Sequence, residues 1–187
     1  HVIWKNRDAA VNWINWQTQL ADTCVLLNNS IYAISASGNA LFIYGDFNST
    51  QLKLKTGTHT NGNNNSIVAY CFSEVEGYSK FGSYKGNGST DGTFVFTGFR
   101  PAVIILKRTN ASASWVIHDD KRAGYNGDND YLHPDLLQAE SDGSTGTLDI
   151  LSNGFKLRMT AGTHNGSGDT FIYLAFAESP FKYARAR

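Results

Sequence analysis

The chain has 187 residues, 41% apolar and 13% aromatic, with 16 basic residues balanced against 16 acidic ones. That is enough apolar side chain for a folded core, whereas a net charge of zero gives no long-range field to gather nucleic acid or an anionic membrane. No run approaches the ~20 apolar residues of a membrane-spanning helix, so neither nucleic acid nor membrane insertion is expected.

Taken in chain order, the first segment, VIWKNRD from Val2, already has a counterpart further on. Lys5 aligns with Lys107 in IILKRTN, and Trp13 aligns with Trp115, both 102 positions later. LKLK at Leu52 aligns with FKLR at Phe155, 103 positions later, and IVAYCFSE at Ile67 aligns with FIYLAFAE at Phe171, 104 later. An unchanged order at a nearly constant offset predicts a tandem duplication, with a first copy over 1–82 and a second over 83–187. The stretch 83–101, which leads the second copy, has no counterpart before His1, and the chain has no initiator Met. A fragment of a longer polypeptide is therefore expected.

Strand signals continue through the second copy. Thr93 to Phe99 (TFVFTGF) is apolar on both faces, and Ala102 to Arg108 (AVIILKR) is a β-branched run of the kind found in buried strands. SWVIHD, TLDIL, FKLRM and TFIYLAFAE follow, each bounded by Gly, Asn, Asp or Ser. Asn153-Gly154 predicts a type I′ hairpin turn, in which both central residues take positive φ. No stretch has helical period and length. The expected fold is all-β, an antiparallel β-sandwich of jelly-roll-like character built from two repeats, and 18 glycines against three prolines suit it.

No catalytic or metal constellation emerges. Glu74 and Glu178 hold equivalent strand ends, and paired carboxylates serve glycoside hydrolysis, but duplication puts one in each copy and gives no reason for them to converge. Asp128, Asp130 and Asp135 begin with the spacing of a calcium loop, which Leu132 and His133 then break; a polar turn is the expected reading. His59 and His164 lie in matching loops, while His118 and His133 fall elsewhere. GNGSTDG lacks the Lys-Ser/Thr ending of a phosphate-binding loop. No cofactor, catalytic residue or metal ligand is assigned.

Aromatic positions are more informative. Trp13 and Trp115 are equivalent and expected to pack. Trp16 corresponds to His118, aromatic in one copy and polar in the other, and that variability suits a surface position. Trp16 and His118 are thus the candidate ligand-contact residues. Cys71 corresponds to Ala175, as a small buried side chain would, and Cys24 with Cys71 does not make a disulfide framework. Asn-x-Ser/Thr triplets at Asn28, Asn48, Asn64, Asn87, Asn110 and Asn165 are glycan acceptors only in a secreted eukaryotic setting.

The stretches VAYCFSEVEGYSKFGSYKGNGSTDGTFVFTGFRPAVIILKRT, WVIHDDKRAGYN, DILSNGFKLR and YLAFAESPFKYARAR resemble a repeated domain of bacteriophage proteins. It is common in phages of cyanobacteria and other marine bacteria, and the resemblance spans essentially the whole chain. It implies a virion structural or tail-associated protein, and it brings no catalytic motif. WKNRDAAVNW near the start of the first copy departs to LKRTNASASW in the second, so a function resting on that segment need not be present in both.

Three functions follow as expectations. The first is a non-enzymatic structural and adhesive module of a virion appendage, a tail fibre or tail-associated protein that self-associates and contacts host-surface glycans outside the cell. The second is a repeat subunit of an extracellular filament, assembled by strand or segment complementation. The third, resting only on the carboxylate pair, is a glycan-active enzyme.

Overall fold

A computed structural model describes residues 1–20, 25–26, 50–51, 54, 57, 59, 61–122, 126, 129–143 and 146–179. Over these the chain is all-β. Its strands are β1 (Val2–Asn6), β2 (Ile14–Trp16), β3 (Val25–Leu26), β4 (Ile67–Cys71), β5 (Ser79–Lys85), β6 (Phe94–Phe96), β7 (Pro101–Arg108), β8 (Val116–Asp119), β9 (Leu148–Leu151), β10 (Gly154–Leu157) and β11 (Thr170–Ala177). A single 3-10 turn, Thr18–Leu20, is the one helical element among the described residues, and no described helix is long and apolar enough to cross a membrane.

The chain divides into two compact units, His1–Phe72 and Ser73–Arg187. The first holds an antiparallel sheet in the order β3-β2-β1-β4. Trp4 and Ile14, facing each other across β1 and β2, are fully buried.

The second unit is sandwich-like. One sheet runs β5-β11-β7-β8 and the other β6-β10-β9, with every named pairing antiparallel. Alternating side chains from both sheets meet in one core, including Ile104, Leu106, Phe171 and Tyr173 from one and Val95, Ile150, Phe155 and Leu157 from the other. Aromatic rings knit the layers together. Tyr84 stacks on Phe171 at 4.9 Å and 9°, and meets Phe155 edge-on at 6.2 Å. β11 lies inside its sheet and its residues Phe171 to Ala175 are all buried, which matches its near-continuous apolar sequence.

Three expectations need correction or comment. The β9–β10 hairpin forms, but Leu151 pairs with Gly154, so Ser152 and Asn153 make the turn. Neither Asn153 nor Gly154 is among the residues with positive φ, so the turn is not type I′. The glycine is needed for space: a Cβ at Gly154 would stand 2.1 Å from the Val95 carbonyl oxygen. Cys71, expected to be buried, is exposed with a free thiol because β4 forms a sheet edge. Cys24 lies outside the described residues. Finally, the unit boundary falls at Phe72/Ser73, whereas the sequence boundary between 82 and 83 would cut β5; pairing of β5 with β11 keeps the whole strand in the second unit.

Candidate functional site

The two candidate contact residues are both inside the protein. Trp16 retains 6% of its exposure and His118 none. Trp16 ends β2 opposite Val2, and His118 sits in β8 opposite Ile104. The surface position expected from their variability is not observed, and neither offers a ring face to a ligand. A buried position that accepts either ring accounts for Trp16 aligning with His118.

His118 does have a partner that sequence spacing did not suggest. Its Nε2 lies 2.9 Å from Nε2 of the fully buried His164. Tyr131 packs edge-on to His164 at 5.1 Å and tilted against His118 at 5.4 Å. His133 joins the rim, its Nδ1 2.8 Å from the Trp115 carbonyl oxygen. Three of the histidines read as scattered, His118, His133 and His164, are therefore gathered by the fold. Burial pushes His118 well below the ordinary imidazole range and His164 down to about 3, so both rings are neutral at pH 7. One Nε2 then donates and the other accepts. Thr163 Oγ1 at 2.8 Å engages His164 Nδ1, and Tyr84 Oη donates to the His164 carbonyl at 2.6 Å. With no route to solvent, this pair holds the core rather than a ligand.

The remaining sequence candidates are dispersed. Asp130 accepts from the Gly143 amide at 2.9 Å and Asp135 from the Trp115 amide at 3.2 Å, while Asp128 lies outside the described residues. Among the described residues no group of three His, Cys, Asp or Glu side chains is placed to hold a metal. Glu178 pairs with Arg100, and Glu74 pairs with Lys80, so each carboxylate serves its own ion pair. Asn165 is fully buried, its amide nitrogen donating to Asn87 Oδ1 at 2.9 Å and to the Ser89 carbonyl at 2.8 Å. It pins GNGSTDG as a turn and is closed to a glycan.

An open surface site lies elsewhere in the second unit. A groove of about 570 Å³ runs between the turn Glu74 to Lys80 and the corner Phe96 to Phe99. Two glycines shape its walls, Gly77 at φ 73° and Gly98 at φ 84°, values that other residues rarely adopt. The Glu74 carboxylate is held by the Phe81 amide at 3.0 Å and the Lys80 ammonium at 2.9 Å, which leaves an oriented charge pair at the edge. The nearby hydroxyls are committed to carbonyls: Ser79 Oγ donates to Ser73 at 2.9 Å and Thr97 Oγ1 to Phe99 at 2.6 Å. Neither is poised as a nucleophile.

Phe96 lines this groove and is 63% exposed; Phe94, two residues back on the same face of β6, is 44% exposed. Val95 between them points into the core. Lys156 pairs opposite Phe94, and its ammonium meets Asp91 at 2.6 Å, so the aromatic face is bordered by paired charge. Two outward rings beside fixed polar groups can stack on the apolar face of a neutral polar ligand and hydrogen-bond its edge. These rings were not singled out from sequence. The available signal was TFVFTGF itself: a strand apolar on both faces in a two-layer sandwich must turn one face outward.

A family profile described as "Domain of unknown function (DUF7483)" matches residues 1–180. No curated protein and no solved structure is significantly similar to the chain.

Proposed function

We propose, from the premise that the chain belongs to the DUF7483 family, that it is a non-catalytic structural and adhesive module of a virion appendage, a tail fibre or tail-associated protein that meets glycans on the host surface. The observation that carries the reading is the outward pair Phe94 and Phe96 beside the Glu74–Lys80 groove. Aromatic faces flanked by hydrogen-bonding groups suit sugars, which present apolar C–H faces and polar rims. The neutral net charge agrees with recognition that does not depend on long-range attraction. The resemblance of Val68 to Thr109 and the later stretches to repeated phage domains supplies the setting.

Electron microscopy of the native particle with an antibody against this chain tests the setting, and label on a tail or fibre tip is the expected result. A glycan screen with wild type and Phe96→Ala tests the contact. The variant should lose about 0.5–1.5 kcal/mol of binding, the range for aromatic ring contacts, with stability changed by no more than about 0.5 kcal/mol because the ring is exposed. Equal binding by wild type and variant across the glycans retained would sink the aromatic-face reading. Label confined to free filaments would sink the appendage reading.

A further inference from the structure

We infer that the outer edge of β4, which no described strand covers, is an acceptor for an antiparallel β-strand of the type that β5 provides in the second unit. The inference concerns assembly and stands whether or not the glycan reading holds.

The two units use the same strand registers. In the first, Lys5 pairs with Val68 and Val2 with Cys71; in the second, Lys107 pairs with Ile172 and Ile104 with Ala175. Adding 102 to the first member and 104 to the second converts one set into the other. On the other side, Val2 opposite Trp16 becomes Ile104 opposite His118, again by adding 102 to each. Lys5 and Lys107 even donate to carbonyls at matching positions, Val11 and Ala113. The three-strand core β4-β1-β2 is therefore drawn to the same plan as β11-β7-β8.

The plans diverge at one edge. β11 pairs with β5 over seven residue positions, from Thr170 opposite Lys85 to Phe176 opposite Ser79. β4 ends its sheet, and no described strand pairs with its outer side. The Phe72 amide bonds to the His1 carbonyl at 2.8 Å and the Arg7 amide to the Ser66 carbonyl at 2.9 Å. Antiparallel alternation then turns the N–H and C=O groups of Ile67, Ala69 and Cys71 away from β1. Their counterparts, Phe171, Tyr173 and Ala175, are the residues that meet Tyr84, Gly82 and Lys80 of β5.

Side chains tell the same story as the backbone. Phe171, Tyr173 and Ala175 are buried, whereas of their counterparts Ala69 and Cys71 are exposed and Ile67 is only half-buried. An apolar edge strand with outward amides is a template for strand addition. The second unit specifies the occupant: an extended segment running antiparallel to β4, with a glycine opposite Ala69 and an aromatic ring opposite Ile67, as Gly82 and Tyr84 stand in β5. The occupant is such a strand from another unit of this type, and not the β4 edge of a second copy.

The test uses the whole chain and a labelled peptide of residues 73–85, SEVEGYSKFGSYK. Fluorescence anisotropy should show saturable one-to-one binding. At a peptide concentration about ten times the dissociation constant, hydrogen exchange at the Ile67, Ala69 and Cys71 amides should slow roughly tenfold. Ala69→Pro removes one outward N–H without breaking the β1 ladder, a position where an edge strand tolerates proline, and should abolish binding. The same peptide N-methylated at Gly82 leaves the protein untouched and should bind several-fold more weakly. The proposal is overturned if the peptide does not bind, or if it binds Ala69→Pro as tightly as wild type. It is equally overturned if, with rising chain concentration and no peptide, those amides become protected while the Phe171, Tyr173 and Ala175 amides stay protected by β5, since β4 would then pair with β4 of a second copy.

Discussion

β4 and β11 keep the same register to the strand beside them, yet Ala175 is fully buried while Cys71, its counterpart, is exposed. The aligned runs are both short and apolar, IVAYC in β4 and FIYLA within β11, and neither composition explains the difference. β11 has β5 on one side, β7 on the other, and the rings of Phe155 and Tyr84 over its face. β4 has β1 on one side only among the described strands. Burial here belongs to a strand's place in the sheet, which is why strand preference measured at an edge differs from that in a centre.

The comparison can be broken most forcefully by truncation. Phe171→Ala should cost about 3–5 kcal/mol, the range for removing a ring from a close-packed core, whereas Ile67→Ala, half-buried on β4, should cost about 1 kcal/mol or less. Urea denaturation of both variants checks this. Similar losses would mean that β4 is covered as fully as β11.

Acid sharpens the contrast next. The second unit holds His118 and His164 neutral in its core, whereas His1 and His59 of the first are only partly buried. A histidine pKa lowered on folding means that the unfolded chain takes up protons which the folded chain refuses. The stability present above the unfolded value of about 6.5 is therefore lost as pH falls toward the folded value. His164, with a folded value of about 3, should cost roughly 2–3 kcal/mol by about pH 4.5. Denaturation followed at Trp115 from pH 7 to 4.5 should show this loss, and His164→Gln should flatten it. An unchanged slope in the variant would assign the acid sensitivity to His118 instead.

The smallest effect is chemical. In a Cys24→Ser background, iodoacetamide should label Cys71 in the native chain at a rate close to that of an unfolded control, since the thiol is exposed. A cysteine introduced at Ala175 should be protected until the second unit opens. Slow labelling of Cys71 would show that the edge is already occupied in solution.

Much of the fold was legible before the structure. The runs at Ala102, Val116, Leu148, Phe155 and Thr170 all became strands, because alternating or continuous apolar residues bounded by turn formers leave few alternatives. The hairpin after Leu151 was legible too, although its turn was misplaced by one residue, since Gly154 is required by the nearby Val95 carbonyl rather than by φ. The site was less legible. Trp16 and His118 were chosen because they differ between the copies, but a buried position tolerates either ring, so variability did not mark the surface. Phe96 was hidden within a strand that reads as apolar on both faces, and nothing local says which face a second sheet covers.

By itself, then, the sequence determined that the apolar segments between Thr93 and Ala177 become strands, and that similar stretches recur about 102–104 positions apart. These follow from side-chain periodicity and turn chemistry, which act over a few residues. Only the tertiary structure decided that His118 meets His164 across 46 positions, that Phe94 and Phe96 face outward, and that among the described strands β4 has no second neighbour as β11 does. Those outcomes depend on which distant strands become adjacent, and a strand's own pattern fixes its two faces without naming what will lie against either of them.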